Sequence, residues 1–276
     1  MHKYRIVAFL AVLLTPLAAT AADPIAAETE TDETEVVEEV ATFRAVPDRP
    51  LYTAAPVTVA KGHGQLEVGG EFSTVDDTSQ LAFPFLARVG LVDNLELRAG
   101  LPAVIVPLDE DTSSELGAIQ VAAKVAGNVS RSFSLGALPY FDIAVSSGDE
   151  TAFSQSTYGV KLLWGLDIVD AFGLNGNFGA AVGPSLEPGD GPRALSVSAS
   201  LAALMHVGPL DVALEGFTYL VQDTPVVGGR LAARFAIFDT FVVDLSGGTS
   251  SLTTPLPGLM PDGTTGFVAL GLTVAR

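Results

Sequence analysis

Histidine is the first side chain to consider, because a serine nucleophile needs a general base within hydrogen-bonding reach of its hydroxyl. Beyond the first 21 residues the chain has only His63 and His206. His63 falls in a turn-like Lys-Gly-His-Gly stretch, and Ser200 is too far along the predicted strand of His206 for the two side chains to pair. The sequence therefore predicts no catalytic residues and no enzyme.

Metal and cofactor sites have equally little support. Cys is absent, which excludes thiolate ligation. The run Asp109, Glu110 and Asp111 could hold Ca²⁺ or Mg²⁺ through carboxylate oxygens, although a solvated charged loop is the preferred interpretation. The pair Gly247 and Gly248 follows a predicted strand and opens no helix, so it does not indicate a phosphate loop. We expect no metal and no cofactor.

The remaining candidates for a functional role are the charged side chains on one face of the predicted strands. Hairpin geometry predicts that Arg88 lies close to Glu96, that Glu215 lies beside Arg234, and that Arg234 lies near Asp244. Such pairs could brace a wall or form a constriction that selects small solutes, and both roles stay open. The predicted pore-lining residues are Glu67, Glu71, Arg88, Glu96, Arg98, Lys124, Asp142, Lys161, Asp167, Asp211, Glu215, Arg230, Arg234 and Asp244.

The elements that carry these side chains show an alternation of period two. Leu95 and Leu97 share one face of a run, for example, while Glu96 and Arg98 share the other. One face is continuously apolar and the other is small or charged. Twelve such strands are predicted, at 63–73, 79–90, 94–105, 114–126, 132–146, 154–167, 173–184, 193–206, 210–221, 227–237, 240–250 and 264–275.

The connections between the predicted strands alternate between short turns and mostly longer, acidic loops. This is a hairpin repeat, with two strands per period where a propeller blade needs four. A soluble sandwich would bury the charged faces without partners. A transmembrane antiparallel up-and-down β-barrel instead places leucine and valine in lipid and the charges in a water-filled lumen. With twelve strands, the lumen is expected to be narrow.

Composition agrees with an exported barrel, excludes one other class and disfavours another. The chain has 276 residues, 48% of them apolar, which excludes disorder throughout. Its formal net charge of −18 disfavours nucleic-acid binding, because phosphate affinity depends on clustered Lys and Arg.

The N-terminal fifth divides into two segments that precede the barrel. Residues 1–21 have a basic start, an apolar run and a small-residue site near Ala21, and are predicted to be a cleaved signal peptide. Residues 22–56 are predicted to be a disordered acidic periplasmic tail, because their dense like charges repel. The alternative is that this tail folds into a pore mouth or docks onto a basic partner. The barrel is predicted to span residues 57–276.

Two stretches resemble a known family. Pro47-Asp-Arg-Pro50 followed by residues 56–67 (PVTVAKGHGQLE), and residues 86–98 (LARVGLVDNLELR), are similar to the outer-membrane family labelled putative MetA-pathway of phenol degradation, also described as transporter-like. The resemblance implies an outer-membrane channel of undefined substrate and carries over no catalytic residue. One departure is the last residue, Arg276, where barrels usually end on an aromatic side chain that is recognised during assembly.

The sequence thus predicts a channel in the outer membrane of a Gram-negative envelope. It would pass small solutes passively, hydrophobic or aromatic ones if the family label is informative. Its expected partners are outer-membrane lipid, the barrel-assembly machinery and an unknown small-molecule solute, with no nucleic acid. The alternative is a non-transporting structural or surface-interaction barrel whose lumen is plugged.

Overall fold

Alternating apolar and small or charged residues form strands throughout the second part of the chain. A computed structural model describes residues 45–49, 51–75, 78–108, 114–145, 156–184, 193–221, 224–252 and 264–276. The strands are β1 (Gly64–Val75), β2 (Thr78–Val92), β3 (Leu95–Pro107), β4 (Glu115–Leu116), β5 (Ile119–Asn128), β6 (Phe133–Ile143), β7 (Thr157–Val169), β8 (Phe172–Gly183), β9 (Ala194–Val207), β10 (Leu210–Val221), β11 (Thr224–Phe238), β12 (Phe241–Leu252) and β13 (Thr264–Ala275).

The strands close into an antiparallel barrel. Strands β5 to β13 each pair with the next in sequence, β1 pairs with β2, and β2 pairs with β3. The short β4 and the longer β5 pair with successive parts of β3, so they share one position in the wall. Pairing of β1 with β13, from Gln65 opposite Ala275 to Val75 opposite Thr265, completes the ring. The predicted twelve-stranded barrel is confirmed, with the predicted strand 114–126 divided in two.

The outer face of the barrel is apolar and exposed. On β7, Leu162 is 59% exposed whereas its neighbour Leu163 is 1% exposed, and on β11 Leu231 is 59% exposed beside the buried Ala232. This alternation gives the wall an apolar exterior suited to lipid. Within the described residues there is no helix of sufficient length and apolar character to span a membrane.

The two ends of the barrel differ in their connections. Five connections are tight turns, among them the β2–β3 turn, where Asn94 has a φ of 70°, and the β9–β10 turn, where Gly208 has a φ of 58°. We call this end the short-turn end. At the other end, two connections expected to be longer leave only residues 76–77 and 222–223 between their strands. The predicted acidic loop at Asp109, Glu110 and Asp111 lies outside the described residues.

Residues 45–49 and 51–62 run inside the barrel and are named here the plug segment. Composition had placed residues up to Pro56 in the acidic tail, and for residues 45–49 and 51–56 that assignment is wrong. These residues are bound by side chains of the barrel wall, which a tail free in solution would not contact. The predicted signal peptide and residues 22–44 lie outside the described residues.

Candidate functional site

The plug segment enters and leaves the lumen at the same end. The Ala45 N–H donates to the carbonyl of Asp239 in the β11–β12 turn, at 2.7 Å. The segment then reaches its tip at Tyr52, whose N–H binds a side chain in the middle of β10. It returns to the short-turn end, where Lys61 bridges to Gly90 on β2 just before β1 begins. The plug segment is therefore a folded-back loop with its tip inside the barrel. The residues before Tyr52 are its entering arm, and the residues after Tyr52 are its returning arm.

Between its two ends, the plug backbone is bound by side chains of the wall rather than by a β-ladder. Pro47, Pro50 and Pro56 have no N–H, and prolines this frequent exclude regular strand pairing. The N–H groups of Asp48 and Arg49 instead donate to the two carboxylate oxygens of Glu67 on β1, at 3.4 and 3.1 Å. Buried backbone groups need partners, so these carboxylates determine the path of the plug.

Arg88 on β2 lies at the centre of the wall residues that contact the plug. Its Nε and Nη2 donate to the two oxygens of Glu96 at 2.8 Å each, which is a bidentate ion pair. Its Nη1 donates to Glu67 at 2.9 Å and to the plug carbonyl of Val46 at 2.6 Å. Glu96 in turn accepts from the plug N–H of Val59 at 2.8 Å. Arg88 thus ties both arms of the plug to the wall.

Asp48 is the residue of the plug that contributes a negative charge to its contact with the barrel wall. Its Oδ2 lies 2.6 Å from Nη2 of Arg98 and 2.9 Å from Nζ of Lys124. Lys124 also donates to the carbonyls of Ala55 and Val57, at 3.1 and 3.0 Å. One carboxylate on the entering arm and one ammonium on the wall therefore bind both arms together.

These side chains form a buried group whose charges balance. We call it the ionic cluster, and its members are Asp48, Glu67, Glu96, Arg88, Arg98 and Lys124. Three acids face three bases, and each member is at most 7% exposed. Buried charges are tolerated when they are paired and hydrogen-bonded, and removing one partner leaves another uncompensated. The cluster is therefore a contact that depends on the plug being in place.

The tip of the plug is held separately, by Glu215 on β10. The N–H groups of Tyr52 and Thr53 donate to its two carboxylate oxygens at 3.0 and 2.6 Å. Glu215 is 1% exposed, and no Lys or Arg of the described residues lies within 4.0 Å of its carboxylate. On the facing side, the hydrogen-bonding pattern around Asn177 favours the amide orientation in which its oxygen accepts from the Ala54 N–H at 2.8 Å and its nitrogen donates to the Ala54 carbonyl at 3.0 Å. The wall is thus complementary to the peptide groups of the tip.

Aromatic and apolar contacts add to these polar ones. The Tyr52 ring packs on Phe217 with centroids 4.5 Å apart, and the Arg230 guanidinium lies 4.6 Å from the Tyr52 centroid. Arg230 also pairs with Glu71 on β1 at 3.6 Å. Three apolar clusters join plug and wall: Ala54 with Ala122, Leu138 and Leu163; Leu51 with Ala202, Leu204, Ala213 and Ala232; and Ala45 with Val242 and Ala275.

The plug divides the lumen into two chambers. The inner chamber, of about 280 Å³, lies toward the short-turn end and is lined by Pro47, Pro56, Asp167, His206 and Asp211 among others. The outer chamber lies beyond the tip and comprises two adjoining cavities of about 270 and 230 Å³ that share Tyr52, Tyr140 and Lys161. Plug residues line both chambers, so the plug segment stands between them.

All fourteen residues predicted to line a pore lie on the inside of the barrel. Seven of them contact the plug through side-chain hydrogen bonds or ion pairs: Glu67, Arg88, Glu96, Arg98, Lys124, Glu215 and Arg234. Arg230 contacts the plug through the Tyr52 ring, and Glu71 pairs with Arg230. Asp142 and Lys161 line the outer chamber, Asp167 and Asp211 the inner one, and Asp244 is buried.

The predicted pairings have mixed outcomes. The proximity of Arg88 and Glu96 is confirmed by their bidentate contact. The placement of Glu215 beside Arg234 is wrong, because the β10–β11 register sets Glu215 opposite Arg230 and Asp211 opposite Arg234. Strands β10 and β11 are joined by only residues 222–223, a shorter connection than expected, and this shifts the pairing. Arg234 does lie opposite Asp244 on β12, as predicted.

The histidine and metal hypotheses can be examined in the described part of the chain. His206 pairs through Nδ1 with Asp211 at 2.7 Å, and Ser200 lies six positions away along β9. Among the described residues no group of three His, Cys, Asp or Glu side chains converges as a metal site. The ring of His206 thus pairs with a carboxylate and not with Ser200, and the described residues contain no converging set of three metal ligands.

The residues that sequence reasoning missed belong to the plug. Asp48 and Tyr52 were assigned to the tail, although the dense acidic run ends at Glu39 and the stretch from Pro47 is richer in proline and apolar residues. That shift in composition, together with the Asp-Arg-Pro element, is the signal that could have separated the plug from the tail.

Comparisons with known proteins agree with this architecture. A family model described as "Putative MetA-pathway of phenol degradation" matches residues 47–250. The chain is similar to a NanC porin structure, with a TM-score of 0.59 and 9% identity over 76% of this chain and 98% of that one. It is also similar to an outer membrane channel from Pseudomonas putida F1, with a TM-score of 0.56 and 14% identity over 90% and 99% of the two chains.

A third similar structure is the KdgM porin in complex with disordered oligogalacturonate. Its TM-score is 0.50, with 8% identity over 75% of this chain and 98% of that one. Identities this low show a common barrel fold and nothing about the solute. No curated protein matches the sequence.

Proposed function

The chain belongs to the MetA-pathway family of phenol degradation, whose model matches residues 47–250, and from this premise we propose that it is an outer-membrane channel for the passive passage of small solutes. The barrel fold that it shares with outer-membrane porins and channels supports the location and the activity. The family's description favours hydrophobic or aromatic compounds as the solutes. Catalysis has no part in this function.

The observation that carries the proposal is the plug between two chambers. In an open porin, water fills the lumen. Here residues 45–49 and 51–62 occupy the lumen and are bound by side chains of several strands. The wall makes these contacts with charged groups that are buried while the plug is docked and that would exchange their plug partners for water if it withdrew. The plug segment is therefore the closed state of the channel, and passage requires it to shift.

A disulfide across the plug tests this account, because the chain has no Cys to interfere. Ala54 of the plug and Ala122 of β5 belong to one buried cluster, so the double variant Ala54→Cys with Ala122→Cys places one thiol on each side of the contact between plug and wall. We expect oxidation to hold the plug in place and to lower solute flux into proteoliposomes, and reduction to restore it. Each single-Cys variant is the control.

The alternative function is a structural barrel that transports nothing. The number of contacts between plug and wall is the observation that favours it. Under this alternative, oxidised and reduced forms of the double variant would both be impermeable. Flux that responds to the redox state would exclude the structural barrel, and flux that is equal in both states would exclude a moving plug.

A further inference from the structure

The outer chamber contains a lysine that forms no ion pair within the described residues. Lys161 on β7 has its Nζ 5.9 Å from the centroid of the Tyr140 ring on β6. No Asp or Glu side chain in the described part of the chain lies within 4.0 Å of that nitrogen. Lys124, by comparison, is fully engaged with Asp48 and two plug carbonyls. Lys161 is therefore free to bind an anion that enters the chamber.

The carboxylates of this chamber are already bound to the protein. Asp142 accepts from Nε2 of Gln120 at 2.8 Å, and Asp48 is held by Arg98 and Lys124. Arg49 also lines the chamber, and its side chain has no carboxylate within 4.0 Å among the described residues. Gln120 is neutral and leaves the charge of Asp142 in place, but the first cavity is lined by three cations, Arg49, Arg98 and Lys161, against these two acids, and this excess of positive charge favours an anion.

Aromatic rings surround the same space. Tyr52 at the plug tip is 49% exposed, so half of its surface faces the chamber, and Tyr140 lines both cavities. Phe217 and Tyr219 on β10 line the second cavity. Rings at this density provide stacking surfaces for a planar apolar ligand.

Two glycines leave room for the key side chains. A Cβ at Gly159 would lie 2.8 Å from the hydroxyl of Tyr140, and a Cβ at Gly179 would lie 3.3 Å from Cγ of Lys161. Gly179 is directly opposite Lys161 in the β7–β8 register. A larger residue at position 159 would also meet the Ala180 carbonyl, and one at position 179 would also meet the Ser198 hydroxyl, so both glycines lie in closely packed parts of the wall beside the ring and the lysine.

From this geometry we infer that the outer chamber is a binding site for aromatic carboxylates, in which Lys161 binds the carboxylate and the rings of Tyr52 and Tyr140 contact the aromatic part. The cavities of about 270 and 230 Å³ are at the small end of ligand sites, which suits a single ring. The inference deepens the proposed function and rests on it, because it specifies the solute that reaches the closed plug.

Calorimetric titration of the purified full chain in detergent micelles tests the site with benzoate as the probe. We expect benzoate to bind at least tenfold more tightly than benzyl alcohol, which has a ring without the charge, and than acetate, which has the charge without a ring. Equal affinities for benzoate and benzyl alcohol, or for benzoate and acetate, would overturn the assignment.

Variants of Lys161 test whether this residue is responsible for the binding of benzoate. Lys161→Gln keeps most of the aliphatic stem and removes the charge, so we expect it to weaken benzoate binding tenfold or more, while Lys161→Arg retains most of it. Lys61→Gln is the matched control, because Lys61 is exposed at the short-turn end. Unchanged benzoate affinity in a folded Lys161→Gln variant would contradict the inference.

Failure of this inference can be told apart from failure of the proposed function. If benzoate does not bind while flux through the Ala54→Cys, Ala122→Cys variant responds to its redox state, the channel stands and its solute is of another class. Tyr140→Leu provides a second check that leaves the charges unchanged. We expect it to lower the preference for benzoate over acetate, and an unchanged preference would contradict the role of the ring.

Discussion

Asp48 of the plug lies 2.9 Å from Nζ of Lys124 on β5, and this ion pair joins the entering arm of the plug to the barrel wall. The same lysine binds the returning arm through Ala55 and Val57. Because both groups are buried, the plug and the wall each leave a charge uncompensated when they separate. The buried charges of plug and wall are therefore paired when the lumen is closed and lose their partners when it opens.

The first prediction concerns the removal of that plug charge. Asp48→Asn leaves Arg98 and Lys124 without their shared carboxylate, which we expect to destabilise the docked plug by about 3 kcal/mol, or roughly 100-fold in the docked ratio. Open time in planar bilayers should rise. Asp170→Asn, in the exposed β7–β8 turn, is the control, and equal open times for the two variants would contradict the prediction.

A second prediction tests whether Asp48 and Lys124 act as a unit. Each single change, Asp48→Asn or Lys124→Gln, leaves a partner charge buried, whereas the double variant removes both. We expect the double variant to open less than the sum of the single effects implies, with a coupling energy of about 1–3 kcal/mol. If the free-energy changes of plug docking, calculated from the open probabilities, were additive, the two residues would act independently.

The third prediction concerns the tip of the plug. Glu215 accepts from two backbone N–H groups through two oxygens, and Gln offers only one acceptor oxygen. Glu215→Gln should therefore increase brief openings in single-channel records. Asp142→Asn is the matched control, since Asp142 accepts from Gln120 of the wall and not from the plug. A similar rise in both variants would mean that the change is not specific to the tip.

Much of the fold could be predicted from the sequence, because alternation of period two is a local signal that survives in every strand. Side-chain pairs across a tight turn, such as Arg88 with Glu96, follow from the same local geometry. The register between β10 and β11 could not be predicted, because it depends on where the strands end, and this placed Glu215 beside the wrong arginine.

The plug could not be predicted from periodicity at all. It has no alternation, and its partners Glu67, Glu96 and Glu215 are distant in sequence and meet only when the barrel closes. These acids were expected inside the lumen but were assigned to water or to cross-strand bases. Each of them also accepts from one or two peptide N–H groups of the plug, which every residue except proline carries and which therefore leave no trace in the sequence.

A fourth prediction uses a close approach of the plug to the wall. At Gly90 on β2, an added Cβ would overlap the carbonyl oxygens of Val59 and Ala60 in the returning arm. Gly90→Ala should therefore displace that arm, at a cost of about 1–3 kcal/mol, and increase ion conduction. Gly216→Ala is the matched control, because its added Cβ would meet no atom within 4 Å. Conduction that does not distinguish the two variants would argue against this contact.

The central claim is that the plug segment closes the lumen, and paired deletions measured by single-channel conductance test it most directly. One variant lacks residues 22–44 and keeps the plug, and the other lacks residues 22–56 and with them the plug tip and Asp48. Both should migrate as folded barrels on gels without heating. We predict low conductance for the first and a several-fold higher, sustained conductance for the second. Equal conductance of the two folded variants would contradict the account.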